Sequence, residues 1–240
     1  MKGAQALAWR TLRRSASAPY KRSGRFAWFF ARGKLRWDPV FSHLVAQGLV
    51  APGARVLDIG CGQGLLASVL HAAGITAHAG QWPRDWADAP TGARVTGIEL
   101  MPRDVARARA ALGNIATFVC GDMRTAPFPH ADVVVILDVL HYIPLTDQNA
   151  VLSRVREALG SGGRIVMRVG DAASRRGFVS SQWVDRLVTA VRGHRERPRH
   201  GRTLAEWTSH LEALGFVTSS LPMHAGTPFA NILLVGTLPR

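Results

Sequence analysis

The sequence predicts an α/β fold in which a mostly parallel sheet carries helices on both faces. Three observations carry this expectation. Short apolar runs alternate with helix-patterned segments from residue 55 onward, and strands joined through helices run parallel. The first strand runs into a glycine turn, Gly60-Cys61-Gly62-Gln63-Gly64, that opens a helix. The last two apolar runs, Phe216–Leu221 and Asn231–Thr237, have no helix between them. They should therefore pair as a hairpin and leave one antiparallel strand in the sheet. The 240 residues suffice for one such domain with extra segments.

The elements follow in order. Apolar spacing predicts a helix over 36–50, ending near Ala51-Pro52-Gly53. Arg55–Ile59 reads as a buried strand, and Leu65–Ala73, beyond the glycine turn, as a helix. A loop with Trp82, Pro83, Trp86 and Pro90 leads to a second strand, Arg94–Glu99. The two tryptophans line a pocket or pack as a surface loop. A helix over 103–112 precedes a third strand, Ile115–Cys120, and a strongly apolar fourth, Ala131–Leu137. A helix over 147–159 should stop at Gly160, before a fifth strand over 163–169. Residues 180–192 and 203–214 read as helices ahead of the closing hairpin, whose loop is 222–230.

Composition bounds the function. Hydrophobic residues make up 47% and charged residues 19%, a globular balance rather than a disordered one. No apolar run approaches the ~20 residues of a membrane span. Two cysteines build neither a disulfide framework nor a metal cluster, so a reducing compartment, the cytoplasm, is expected and no metal is. The net charge is +14, and it is concentrated. Residues 1–36 hold ten basic residues and no acid, residues 192–202 hold five arginines and one glutamate, and the remainder is balanced. Such segments suit nucleic acid, anionic lipid or an acidic protein. The alternative is plain arginine bias, since only three of the 30 basic residues are lysine.

An Arg-rich, acid-free beginning also has the composition of a transit peptide. However, Phe26, Phe29 and Phe30 recur at helical spacing and run without a break into the body, which speaks for a retained helix. Secretion is not expected, because no apolar stretch precedes a small-residue cleavage site.

Chemistry concentrates at the carboxyl ends of the predicted strands, where open sheets bind ligands. Gly60 and Gly62 permit a tight turn and close backbone approach. Alone they fit a structural turn equally well. Asp58 would repel a pyrophosphate but accept hydrogen bonds from a cationic ligand. Glu99 ends the second strand and could accept both hydroxyls of a ribose, or face solvent as a helix-start charge. Asp122 could accept from an adenine amino group while Met123 packs on the ring, or merely cap a turn. Three acids after three successive strands share one rim, and that joint pattern is the specific signal.

These motifs resemble the class I S-adenosylmethionine-dependent methyltransferases over about 54–170 and, more loosely, over the terminal strand pair. The resemblance implies a Rossmann-like seven-stranded sheet, order 3-2-1-4-5-7-6 with strand 7 antiparallel, and S-adenosylmethionine as cofactor. Asp58, Gly60, Cys61 and Gly62 would flank its methionine part. Glu99 would bind the ribose, Leu100 or Met101 would lie against the adenine, and Asp122 and Met123 would recognise it. Asp138 would lie near the methionine amino group and the substrate. The 41 residues from Asp58 to Glu99 exceed the usual ~20, which implies an insertion near 75–92. Residues 1–50 would form a basic helical cap and 51–240 the methyltransferase domain. In the cap, Phe26, Phe29 and Phe30 would cover the ligand while Arg25 and Lys34 meet a carboxylate. The alternative is a core-packing stripe with a solvated basic face.

His141 follows Asp138 by three residues in Leu137-Asp-Val-Leu-His-Tyr-Ile-Pro144. A histidine there could take the proton of a phenol, making His141 and Asp138 the candidate catalytic pair; alternatively, it packs on the cofactor. His210 and His224 are weaker candidates. The runs 33–36, 97–105, 137–142 and 226–232 are similar to bacterial methyltransferases of aryl-polyene pigment pathways. That similarity implies a small aromatic acceptor, free or on an acidic acyl carrier protein that the basic arm would steer. An anionic membrane surface is a second candidate partner, with a peripheral position at the inner membrane face. Nucleic acid is a weaker one, because Leu137-Asp-Val-Leu140 is not an Asn/Asp-Pro-Pro-Tyr/Phe loop. A cofactor-binding scaffold without turnover is the third reading.

Overall fold

The structure is a computed structural model that describes residues 3–170, 200–223 and 231–240. The predicted helix over 180–192, His224, and most of the 192–202 and 226–232 runs lie outside the described residues. Seven strands, β1 (Arg55–Ile59), β2 (Arg94–Glu99), β3 (Thr117–Cys120), β4 (Ala131–Leu137), β5 (Leu159–Gly170), β6 (Val217–Pro222) and β7 (Asn231–Thr237), form one sheet. Its order is β3-β2-β1-β4-β5-β7-β6. The β1–β2, β2–β3 and β4–β5 pairs are parallel, and β7 is antiparallel to both β5 and β6. The chain divides into two compact units, Met1–Pro127 and Phe128–Arg240.

In the first unit, α1 (Gly3–Ser17) and α2 (Arg25–Trp37) are joined by a 3-10 turn, Ala18–Ser23. Then come α3 (Pro39–Ala46), α4 (Leu65–His78) and α5 (Pro102–Leu112). The single helix expected over 36–50 is two helices with a break at Asp38. The Asp38 side chain accepts from the Val40 N–H at 3.1 Å and Pro39 opens the new helix, a cap and first-turn proline that end one helix and begin another. Helix α4 is apolar nearly all round and buried along most of its length, as a helix covered on two sides must be. Helix α1 packs on it, and Ser68 donates to the Ala16 carbonyl at 2.6 Å.

The second unit adds α6 (Leu145–Ala158) and α7 (Leu204–Ala213). Thr203 and Glu206 close a reciprocal capping box at the start of α7. Helix α6 ends at Ala158, within a residue of the expected end, but β5 starts at Leu159 rather than at 163. Residue 159 is already extended, and the glycine-rich stretch is the irregular start of β5, where pairing with β4 shifts between Ala131–Leu159 and Val133–Arg164. Gly162 takes φ +70° in this irregular stretch of the ladder.

Candidate active site

In the first unit, Asp58 and Glu99 stand at the ends of parallel neighbours, β1 and β2. Asp58 is 4% exposed. Burial, and then the charge of Glu99, push its carboxyl up to about 7. Glu99 is buried as well, and both its oxygens are engaged: Oε2 accepts from the Gly62 N–H and Oε1 from the Met101 N–H, each at 2.9 Å. One carboxylate thus ties the glycine turn to the start of α5. A carboxylate has about four acceptor positions, so Glu99 keeps capacity for ligand hydroxyls.

The turn itself is fixed by backbone bonds. The Gly60 and Cys61 N–H groups both donate to the Ile98 carbonyl, at 2.8 and 3.1 Å. Gly62 has φ +55°, and a Cβ built there meets nothing within 4 Å. Its glycine is demanded by the dihedral, and the space beyond it is open to a ligand. At Gly64, by contrast, a Cβ would come within 2.7 Å of Phe118, so that position serves packing. Cys61 is buried, and burial with the charges of Asp58 and Glu99 pushes its thiol up. It is therefore a neutral wall of the site, not a nucleophile.

Sequence reasoning missed two residues here. Gln63 is 1% exposed, and neither polar atom of its side chain finds a protein partner. Its backbone carbonyl accepts from the Tyr20 hydroxyl at 2.8 Å, which pins the N-terminal segment to the turn. A polar residue between two glycines of the motif was a usable signal for Gln63. Tyr20 lies 43 positions away and carried none.

The remaining positions behave differently. Asp122 is gripped by Arg124, whose Nε lies 3.0 Å from both carboxylate oxygens, and that pairing lowers its pKa. Any further donor at Asp122 must share the carboxylate with Arg124. Met101 and Met123 are half-buried, and Leu100 is exposed. On α2, Ala27, Ala31 and Leu35 form the buried stripe, while Phe26 and Phe29 are exposed. The core-packing reading of these two phenylalanines is thereby overturned: the small residues face inward. Lys34 pairs with Asp38 at 2.8 Å. Trp82 and Trp86 pack edge to face at 5.1 Å.

In the second unit, Asp138 follows β4 in the left-handed region, φ +60°, which Asp tolerates better than most residues. Arg168 of β5 clamps it through both Nε and Nη2. The Arg168 side chain is 2% exposed against 31% for Asp138. A charge inside the apolar run Ile165–Val169 was the sequence signal for this missed residue. Burial pushes the His141 imidazole down, and Asp138 opposes that shift. The turn that bears His141 is held by Gln148, fully buried, whose amide reaches the Leu140 and Ile143 carbonyls at 3.1 Å. Arg202 in turn donates to Gln148 Oε1 at 3.0 Å.

Two buried acids beside an open glycine turn suit a ligand that is cationic and rich in hydroxyls. A polyphosphate would meet two carboxylates instead. A family model described as a methyltransferase domain matches residues 22–221. The chain belongs to this methyltransferase family. Membership gives S-adenosylmethionine as its cofactor, and the donor set around Asp58 and Glu99 fits that group. The methyltransferase is 33% identical over 129 residues to a carboxy-S-adenosyl-L-methionine synthase of Chromohalobacter salexigens, covering 52% of this chain and less than half, 43%, of that relative. It is 29% identical over 186 residues to a ubiquinone biosynthesis O-methyltransferase of Xanthomonas campestris, covering 73% of this chain and 69% of the relative. A solved structure of magnesium protoporphyrin IX methyltransferase from Synechocystis with bound SAH shares the fold, with TM-score 0.58 and 22% identity over 90% of this chain and 89% of that one.

Proposed function

We propose that this methyltransferase methylates a small phenolic acceptor. The observation that carries the reading is His141. Burial holds its imidazole below the usual histidine range, so it is neutral at pH 7 and able to take a proton from an acidic hydroxyl. When bound, S-adenosylmethionine supplies a methyl group on a positively charged sulfur. Asp58 would meet its cationic portion, with Gly60, Cys61 and Gly62 along the methionine part. Glu99 would hold the ribose, and Leu100, Met101, Asp122 and Met123 would border the adenine. His141 would hold the acceptor's proton on an imidazole nitrogen, and Asp138, held in place by Arg168, would stabilise the imidazolium.

The name of the Xanthomonas relative supports oxygen as the receiving atom. A phenolate also carries electron density on its adjacent ring carbons, so carbon methylation would use the same base. Within this class we infer an aryl-polyene pigment pathway, with a 4-hydroxyphenyl head group free or on an acidic acyl carrier protein. That inference rests on the similar runs 33–36, 97–105, 137–142 and 226–232.

The test is mass spectrometry of a panel of free and carrier-bound phenols after incubation with the protein and S-adenosylmethionine. Products heavier by one CH₂ are expected, and the pigment head group of a deletion strain should be lighter by the same group. His141→Ala should lower kcat by roughly 100-fold while the affinity for S-adenosylhomocysteine persists. An undiminished rate removes His141 from the mechanism. Inert phenols alongside methylated RNA would replace the acceptor class.

A further inference from the structure

Helix α2 inverts the usual arrangement of side chains. Its fully buried stripe is Ala27, Ala31 and Leu35. Phe26, Phe29, Phe30, Gly33 and Trp37 recur every three or four residues along the opposite flank. Phe26 is 43%, Phe29 57% and Trp37 71% exposed. Arg25, Arg32 and Arg36 stand exposed on the same helix, and Leu7, Arg10 and Arg14 are exposed on α1. Burial, and then the charges of Arg36, Arg14, Arg10 and Arg32, depress the Arg13 guanidinium, which places arginines of both helices in one positive field. Residues 1–36 contain no Asp or Glu to neutralise it.

We propose that the outer face of α2, with the arginines of α1, docks this protein on an anionic lipid surface. The face has the composition of a helix that lies in the bilayer interface, aromatic along one strip and cationic beside it. The 13 residues of α2 extend about 20 Å, enough to span several headgroups. The aromatic rings decide between lipid and nucleic acid. Base stacking needs bare ring faces, and cations of the protein lie over three of the rings of α2: Arg107 over Phe26, Lys21 and Arg32 over Trp28, and Arg36 over Trp37. Phe26 is further stacked on Phe30. The exposed arginines beside the aromatic strip would meet lipid phosphates. No helix among the described residues is long and apolar enough to cross a membrane, so the attachment is peripheral. The inference is independent of the acceptor proposed above.

Co-sedimentation of the full chain with vesicles provides the test. The protein should partition onto phosphatidylcholine vesicles containing phosphatidylglycerol, stay in solution with phosphatidylcholine alone, and be released by salt. Arg25→Gln and Arg36→Gln should each weaken partition about fivefold. Phe29→Ser/Trp37→Ser, at exposed sites that folding does not need, should weaken it about tenfold or more and leave the affinity for S-adenosylhomocysteine unchanged. Failure to sediment with anionic vesicles overturns the proposal, as does partition indifferent to these variants. Loss of S-adenosylhomocysteine affinity in the double variant would make the face a cofactor lid instead. Tighter binding to an RNA oligonucleotide than to the anionic vesicles would hand it to nucleic acid.

Discussion

Asp58 and Asp138 stand at the ends of β1 and β4, one in each unit, and the chain treats their charges in opposite ways. Asp58 is buried beside a second acid, and burial and then that charge push its carboxyl up to about 7. Asp138 is partly exposed and clamped by a buried arginine. The first arrangement costs the free protein stability wherever that carboxyl ionises. In the second, the acid and the buried guanidinium offset each other's charge.

The largest expected effect breaks this comparison at Asp58. Asp58→Asn should weaken S-adenosylmethionine binding roughly 100-fold in titration calorimetry. The same change should raise the melting temperature of the free protein at pH 8. The sign follows from linkage: the folded pKa, about 7, lies above the ordinary ~4. Its stabilisation is full below pH ~4 and is lost as pH rises through 7, a cost on the order of a few kcal/mol. At pH 4 the variant should therefore gain nothing, and wild-type affinity for the cofactor should climb from pH 6 to 7 and then level off. A melting temperature equally raised at both pH values would detach the gain from ionisation.

A smaller effect is expected at the paired acid. Asp138→Asn keeps the left-handed backbone but removes the charge that Arg168 clamps, at a cost of up to about 3 kcal/mol. Thermal denaturation should register a drop of several degrees. Because Asp138 holds the His141 pKa up, the acidic limb of the pH–rate profile should move to lower pH. An unmoved limb would separate Asp138 from the histidine.

The smallest effect sits at the third acid. Asp122 and Arg124 form a surface pair, 24% and 40% exposed, and such pairs contribute about 1 kcal/mol or less. Asp122→Asn should leave stability nearly unchanged and weaken the cofactor a few-fold. A loss as large as at Asp58 would show that Asp122 leaves Arg124 to bind the ligand.

Most of the fold was legible because its signals are local. β1, β2, β4 and β7 fall where apolar runs of four to seven residues lie between turn residues, and the missing helix before β7 announced the antiparallel strand. The errors were also local. A helix was carried through Asp38-Pro39, although that pair is itself a start signal, and the fifth strand was begun at 163 although β5 runs from Leu159 through the glycines. The candidate site was legible in its acids and glycines, which stand beside strand ends in the sequence. Its supports were not: Tyr20 on the Gln63 carbonyl, Arg168 on Asp138, and Arg202 on Gln148 join residues 43, 30 and 54 positions apart.

By itself, the amino-acid order determined where backbone could extend, coil or turn, and which residue types reached the carboxyl ends of the strands. Periodicity and glycine dihedrals are properties of a few neighbouring residues. Tertiary structure decided the charge states: which acid is buried in low dielectric, which is clamped by a buried guanidinium, and which aromatic rings face water. Those depend on desolvation and on partners brought together from distant positions, and neither exists until the chain has closed.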